Sequence, residues 1–114
     1  QGWTPDFIAD VLQEALDKDY ADVLVPADDQ SSIQWSRRLA REEGIFTGIS
    51  GGASFAAAIE TANTAPAGST ILAMLPDTGE RYLSSMLFDG IDDWMSDEEK
   101  AIAQSTPSGQ FLAD

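Results

Sequence analysis

The run Thr70-Ile71-Leu72-Ala73-Met74-Leu75-Pro76-Asp77-Thr78-Gly79-Glu80-Arg81-Tyr82 constrains this chain most. Its apolar residues carry no charge, stop at Pro-Asp-Thr-Gly and give way to helix-compatible residues. That pattern predicts a buried strand, a tight turn and a helix start, which together make half of a βαβ unit. In such a unit the turn lies at the carboxyl end of a parallel strand, where open α/β sheets gather helix amino termini and backbone donors around a ligand. Thr78 is therefore the first candidate site residue. Residue spacing alone leaves a second reading open, in which Asp77 or Thr78 caps the following helix, Glu80 completes a box-like pattern and Gly79 eases the turn.

The same words carry a family resemblance. Pro76-Asp77-Thr78-Gly79-Glu80-Arg81-Tyr82-Leu83-Ser84 resembles a segment near the carboxyl end of the cysteine synthases (O-acetylserine sulfhydrylases), pyridoxal-phosphate enzymes of the tryptophan-synthase β fold. Upstream, Glu42-Glu43-Gly44-Ile45-Phe46-Thr47-Gly48-Ile49-Ser50-Gly51-Gly52-Ala53 resembles that family's EEGI-x-x-GIS-[SG]-G-A segment. Gln1-Gly2-Trp3-Thr4-Pro5-Asp6-Phe7-Ile8 is similar to its QG-x-x-x-x-FI loop. Three matches in the right order span almost the whole chain. They imply an α/β fold, part of the three-layer parallel-sheet large domain of a fold-type II pyridoxal-phosphate enzyme that forms L-cysteine from O-acetyl-L-serine and sulfide by β-replacement.

The resemblance also implies roles for single residues. Thr78 takes the place of the hydroxyl that bonds the cofactor's pyridine nitrogen. A neutral hydroxyl, unlike an aspartate, does not stabilise a protonated ring, so the cofactor is a weaker electron sink, which suits β-elimination and β-replacement better than transamination. Gly2 and Trp3 match the loop at the active-site mouth, where cysteine synthases also receive the tail of serine acetyltransferase. Three departures touch substrate and partner: Trp3-Thr4-Pro5-Asp6 replaces a small, glycine-rich sequence, Gly51 stands where many members have Ser, and Ala9 follows Phe7-Ile8 where Pro is usual.

Several expected parts are absent from this sequence. The G-T-G-G-T phosphate loop and the T-S-G-N-T substrate loop do not occur, and neither lysine, Lys18 nor Lys100, lies in anything like the Schiff-base motif. The catalytic lysine is thus expected elsewhere, in a missing amino-terminal portion, with this chain as the carboxyl-terminal third of the enzyme and inactive without the rest. A partner-binding remnant of the fold without catalysis is the alternative, as is a cystathionine β-synthase or serine dehydratase relative. A severed sheet edge exposes unpaired backbone and apolar surface, so association is expected, with the rest of the enzyme or with a second copy in a homodimer.

Composition bounds these readings. At 114 residues, one domain is the limit, with about 1–88 as core and 89–114 as an acidic helix and tail. Twenty acidic residues against six basic ones give a formal charge of −14, which disfavours nucleic acid and anionic membrane surfaces. Without cysteine or histidine there is neither a disulfide framework nor a thiolate or imidazole metal site, so the metal options shrink to carboxylates, and no metal ligand is assigned. A cytoplasmic location is the expectation, with an organelle left open.

Along the chain, Phe7, Ile8, Val11, Leu12, Ala15 and Leu16 fall on one face of a predicted helix. Residues 22–26 predict a short edge strand ended by Pro26, and Asp28-Asp29 a cap cluster. Residues 30–43 predict a helix whose stripe is Ile33, Trp35, Ser36, Leu39 and Ala40, with Arg37, Arg38 and Arg41 on a solvated face and Gly44 as the stop. Residues 45–47 suggest a short buried strand. Residues 48–52 make a tight turn into a helix over 53–62, whose alanines 56–58 would approach a sheet. Gly51-Gly52 opens a helix as an anion cradle does, yet the family's phosphate loop is of another kind, so 48–52 is read as packing beside the cofactor ring and the Thr78 turn, with structural packing alone equally open. A short helix over 83–88 and a final helix with a Ser96-Asp97-Glu98-Glu99 capping box follow, then a tail in which Phe111 is a possible anchor.

Overall fold

The computed structural model describes residues 6–105. Four α-helices follow in order: α1 (Asp10–Asp17), α2 (Asp29–Glu43), α3 (Ile49–Thr64) and α4 (Asp97–Gln104), with short 3₁₀ turns at Gly79–Tyr82 and Met86–Phe88 between the last two. α2 packed on α3 is the structural nucleus, and Leu39, Ile49, Ala53 and Leu87 are its buried apolar residues.

Local chemistry sets the ends of α2. Asp28 accepts a hydrogen bond from the Ser31 N–H at 2.7 Å, satisfying one of the orphan donors of the first turn, a cap worth about 1 kcal/mol. At the other end Gly44 takes φ 69°, and Ile45 N–H turns back to the Leu39 carbonyl at 3.0 Å. The left-handed conformation favours glycine, so the stop read from Gly44 is realised for the expected reason.

The seam between α2 and α3 is built of small residues. A Cβ on Gly52 would lie 1.9 Å from the Ser32 carbonyl oxygen, and one on Gly51 would lie 1.9 Å from Thr47 Oγ1. Only hydrogen fits at either place, so the close approach lies at Gly52 and Ala53 against α2, rather than at Ala56–Ala58 against a sheet. Ser32, Ser36 and Leu39, one stripe at i, i+4 and i+7, are buried in this seam. Each serine satisfies its hydroxyl on a carbonyl: Ser32 on Asp28 at 2.6 Å and Ser36 on Thr47 at 2.7 Å. Trp35 meets Phe55 edge to face at 5.4 Å between centroids, and Arg38 lies 4.2 Å over the Trp35 ring while pairing with Glu42.

The expected strands are the main correction. Residues 22–26, 45–47 and 70–75 form no ladder among the described residues, and the sole bridge is antiparallel, between Thr47 and Thr78. A strand exists only with a neighbour to exchange N–H and C=O bonds, and none of the described residues exchanges such bonds with 22–26 or 70–75. Their side chains show the consequence: Val23, Leu24 and Leu72 are 75%, 71% and 93% exposed. The three-layer sheet is accordingly not formed by these residues. Likewise α1 forms, but Phe7, Ile8, Val11 and Leu12 stay exposed and none of its residues is buried.

The carboxyl-terminal elements follow the sequence more closely. The helix expected over 83–88 shrinks to the 3₁₀ turn Met86–Phe88, entered through a Ser85 cap. At α4 both halves of the capping box are present, Glu99 N–H to Ser96 Oγ at 3.2 Å and Ser96 N–H to Glu99 Oε2 at 2.7 Å. Phe111 lies outside the described residues, as do Gly2 and Trp3.

Arg37 departs from its expected place on a solvated face. It is half-buried and donates from Nε to the Leu87 carbonyl at 2.7 Å and from Nη2 to the Met86 and Asp89 carbonyls at 3.0 and 2.9 Å. One guanidinium thus gathers the carbonyls of the Met86–Phe88 turn and ties that segment to α2. Arg38 and Arg41 keep the expected exposed ion pairs with Glu42.

Candidate functional site

The residues around Thr78 are held by a short antiparallel contact between 46–48 and 77–79. Gly79 N–H donates to the Phe46 carbonyl at 3.2 Å, Gly48 N–H to the Asp77 carbonyl at 3.4 Å, and Thr47 Oγ1 to the same Asp77 carbonyl at 3.1 Å. Thr47 is fully buried and is gripped from behind, its own carbonyl accepting from Ser36 of α2. The two segments that carry the family resemblance, forty residues of loop and helix apart at their outer ends, therefore meet at one place. The glycines permit it: a Cβ on Gly79 would sit 2.7 Å from the Phe46 ring, and one on Gly48 would sit 2.2 Å from Asp77 Oδ1.

Beside this contact lies a small polar cluster. Tyr82 donates its phenolic hydrogen to Asp77 Oδ2 at 2.7 Å, while Asp77 Oδ1 is buried without a hydrogen-bond partner. The Tyr82 hydroxyl is raised above its usual pKa chiefly by that hydrogen bond to Asp77, then by burial and the Asp77 charge, with the Ser50 hydroxyl and Arg81 opposing. The Asp77 carboxylate also faces the Gly48 end of α3, where a helix amino terminus favours negative charge.

Thr78 itself is half-buried with φ −102° and ψ 150°, and it precedes the 3₁₀ turn Gly79–Tyr82 without capping it. The capping alternative is thus not realised: Asp77 is engaged by Tyr82, and Glu80 is exposed. The Thr78 hydroxyl makes no hydrogen bond among the described residues and is free to donate to a ligand acceptor. A pyridine nitrogen has one in-plane lone pair and needs one donor, so the residue type and its uncommitted, partly accessible hydroxyl fit that group.

Other residues singled out in the sequence make contacts of their own. A Cβ on Gly51 would meet Thr47 and one on Gly52 would meet α2, so both serve close packing. Lys18 pairs with Glu14 and Lys100 with Asp97 on the exposed surface. No group of three or more acidic residues among the described residues is placed to hold a metal, and no described helix is long and apolar enough to cross a membrane. A concavity of about 300 Å³ lies between α2 and 87–91, lined by Arg37, Ala40, Phe46, Leu87, Phe88 and Ile91; Thr78, Asp77 and Tyr82 do not line it. Sequence reading missed Tyr82 and Thr47. Both stand inside the matched motifs, but only the fold shows that one hydroxyl reaches a carboxylate and the other a carbonyl thirty residues away.

Residues 3–77 match the pyridoxal-phosphate dependent enzyme family, and the chain belongs to it. Among curated relatives it is 50% identical over 109 residues to O-ureido-L-serine synthase of Streptomyces lavendulae, covering 96% of this chain, and 39% identical over 80 residues to cysteine synthase of Staphylococcus aureus, covering 70%. It spans 32% and 26% of their lengths, about a third at most. Crystal structures of O-ureido-L-serine synthase, one an O-ureido-L-serine-bound mutant, superpose with TM-scores of 0.74 and 0.72 at 50% and 49% identity. They cover 89% and 90% of this chain and 31% and 30% of theirs. These structural neighbours are fold-type II pyridoxal-phosphate enzymes, and the expectation of a pyridoxal-phosphate enzyme related to the cysteine synthases holds at the level of the family.

Proposed function

We propose that this chain is the carboxyl-terminal portion of a pyridoxal-phosphate synthase that replaces the β-substituent of an activated L-serine such as O-acetyl-L-serine, completed by an amino-terminal portion that brings the covalently bonding lysine and the phosphate loop. The observation that carries this reading is the match to O-ureido-L-serine synthase over 96% of this chain, combined with a span of only 32% of that relative. When bound, the cofactor supplies the electron sink for loss of the leaving group and addition of the nucleophile. This chain's own contribution is narrower. Thr78 Oγ1 would donate to the pyridine nitrogen and, being neutral, would leave that nitrogen unprotonated; the 46–48 and 77–79 contact would keep the hydroxyl in place; Gly2 and Trp3 would belong to the mouth through which substrate passes.

Two nucleophiles suit the relatives. O-ureido-L-serine carries its ureido group through oxygen on the β-carbon, so its synthesis by β-replacement calls for hydroxyurea, whereas L-cysteine calls for sulfide. The higher identity over a larger share of the chain favours the first; the cysteine-synthase wording of residues 76–84 keeps the second. The full-length enzyme, given O-acetyl-L-serine with hydroxyurea and sulfide in competition, is expected to form mainly O-ureido-L-serine by mass spectrometry. A product that is L-cysteine alone assigns the second activity, and no consumption of O-acetyl-L-serine refutes both. This chain by itself is expected to stay colourless with the cofactor, and a yellow preparation would contradict the placement of the lysine elsewhere. Association with the amino-terminal portion, dimer formation, docking of serine acetyltransferase and a cytoplasmic location remain parts of the same proposal.

A further inference from the structure

The polar cluster below Thr78 has no role in that reading, yet it is more elaborate than the turn requires. Residues 79–82 would close as a 3₁₀ turn without a side-chain cap, and the 46–48 contact already holds the main chain on both sides of Thr78. The Tyr82 hydroxyl nevertheless reaches back five residues to Asp77 Oδ2, the residue immediately before Thr78. The Asp77 carbonyl simultaneously accepts from Gly48 N–H and Thr47 Oγ1. Asp77 is thereby held at its carbonyl from one side and at its carboxylate from the other, so the plane of the peptide leading into Thr78 cannot rotate without breaking one of three bonds. The position of a β-branched side chain follows its backbone closely, because χ1 has few wells.

From this geometry we infer that Tyr82, acting through Asp77, is a positioning residue that aims the Thr78 hydroxyl at the cofactor's pyridine nitrogen. The inference rests on the proposed role of Thr78 and adds to it a reason for the Asp-Thr-x-x-x-Tyr spacing. Tyr82→Phe removes one oxygen and leaves the ring against Gly48, so the packing is kept while the restraint on Asp77 goes.

The test uses the full-length enzyme and two readouts other than turnover: affinity of the apo-enzyme for pyridoxal phosphate by titration, and the absorption and fluorescence maxima of the bound cofactor, with the melting point of the apo-enzyme as control. Tyr82→Phe is expected to weaken cofactor binding by about tenfold, the scale of one misdirected hydrogen bond, and to shift the maxima in the same direction as Thr78→Ala, with the apo melting point lowered by only the few degrees that one hydrogen bond is worth. Asp77→Ala, which breaks the link from its other end, is expected to behave alike and not to add to Tyr82→Phe. In a Thr78→Ala background, Tyr82→Phe is expected to have no further effect. Wild-type affinity and spectra in Tyr82→Phe overturn the inference while leaving the role of Thr78 standing. Additive effects of Tyr82→Phe and Thr78→Ala also overturn it, because Tyr82 would then act by another route. A neutral Thr78→Ala overturns the role of Thr78 and this inference with it.

Discussion

Replacing Gly52 by alanine probes whether the α2–α3 seam determines the position of the site. The added methyl carbon would stand 1.9 Å from the Ser32 carbonyl oxygen and 2.8 Å from the Ser36 nitrogen, both main-chain atoms of α2. An ordinary carbon–oxygen contact is about 3.4 Å, so the helices must part by roughly 1.5 Å at that level. Neither atom can swing aside as a side chain would. Overpacking of this kind costs about 1–3 kcal/mol, and the rigidity of the obstacle places Gly52→Ala near the upper figure. In a full-length enzyme about three times as long as this chain, about 3 kcal/mol lowers the melting point by roughly 4 °C. The displacement also reaches the site, because Ser36 holds the Thr47 carbonyl and Thr47 bridges Thr78, so cofactor affinity is expected to fall with stability. Differential scanning calorimetry of the full-length enzyme measures the first effect and titration of the apo-enzyme the second. The comparator is Gly44→Ala, where the left-handed φ of 69° is strained but nothing lies within 4 Å, so the cost is about 1 kcal/mol with cofactor affinity unchanged. A Gly52→Ala melting point equal to wild type, or equal to Gly44→Ala, would refute the argument that this seam has no room.

Ser36→Ala is expected to leave the buried Thr47 carbonyl without its partner and to cost about 1–3 kcal/mol by urea denaturation; an unchanged midpoint would show that the carbonyl finds another donor. Arg37→Ala releases three carbonyls at once, and amide hydrogen exchange over residues 86–91 should rise sharply while that of α3 stays slow. Glu99 is held below its usual pKa by the Ser96 N–H and hydroxyl. A depressed folded pKa contributes stability above the unfolded carboxylate value that is lost as pH falls through the folded one, so α4 is expected to fray in acid, read as loss of helical circular dichroism that Glu99→Gln makes insensitive to pH. Tyr82 runs the opposite way: its raised pKa contributes stability below the ordinary phenol value that disappears as pH rises through the folded value, and Tyr82→Phe should lack that alkaline loss in an absorbance-monitored melt.

The elements legible in the sequence were those whose cause is local. The Gly44 stop, the Asp28 cap, the Ser96 capping box and the i, i+4, i+7 stripe of α2 each depend on residues within two turns of one another, and each is present. Thr78 was legible as a candidate because the Pro-Asp-Thr-Gly wording is local as well. The strands over 22–26 and 70–75 failed for the complementary reason. A run of apolar residues states a preference for burial, but a ladder needs a second backbone alongside, and none of the described residues supplies it.

Tertiary structure alone decided which small residues matter and what the polar ones hold. Gly51 and Gly52 look like a phosphate turn in one dimension and prove to be clearance, Gly52 against α2 and Gly51 against Thr47; Arg37 looks like a surface charge and proves to be a clamp on three carbonyls. Asp77 and Tyr82 stand five residues apart in any alignment of letters, yet their hydrogen bond exists only because the Gly48 end of α3 and the Thr47 hydroxyl fix one side of Asp77 while a 3₁₀ turn returns Tyr82 to the other. Sequence determines the propensities that act within a turn or two of the chain. Direction and distance between segments come from packing, because they depend on atoms that the sequence places far apart.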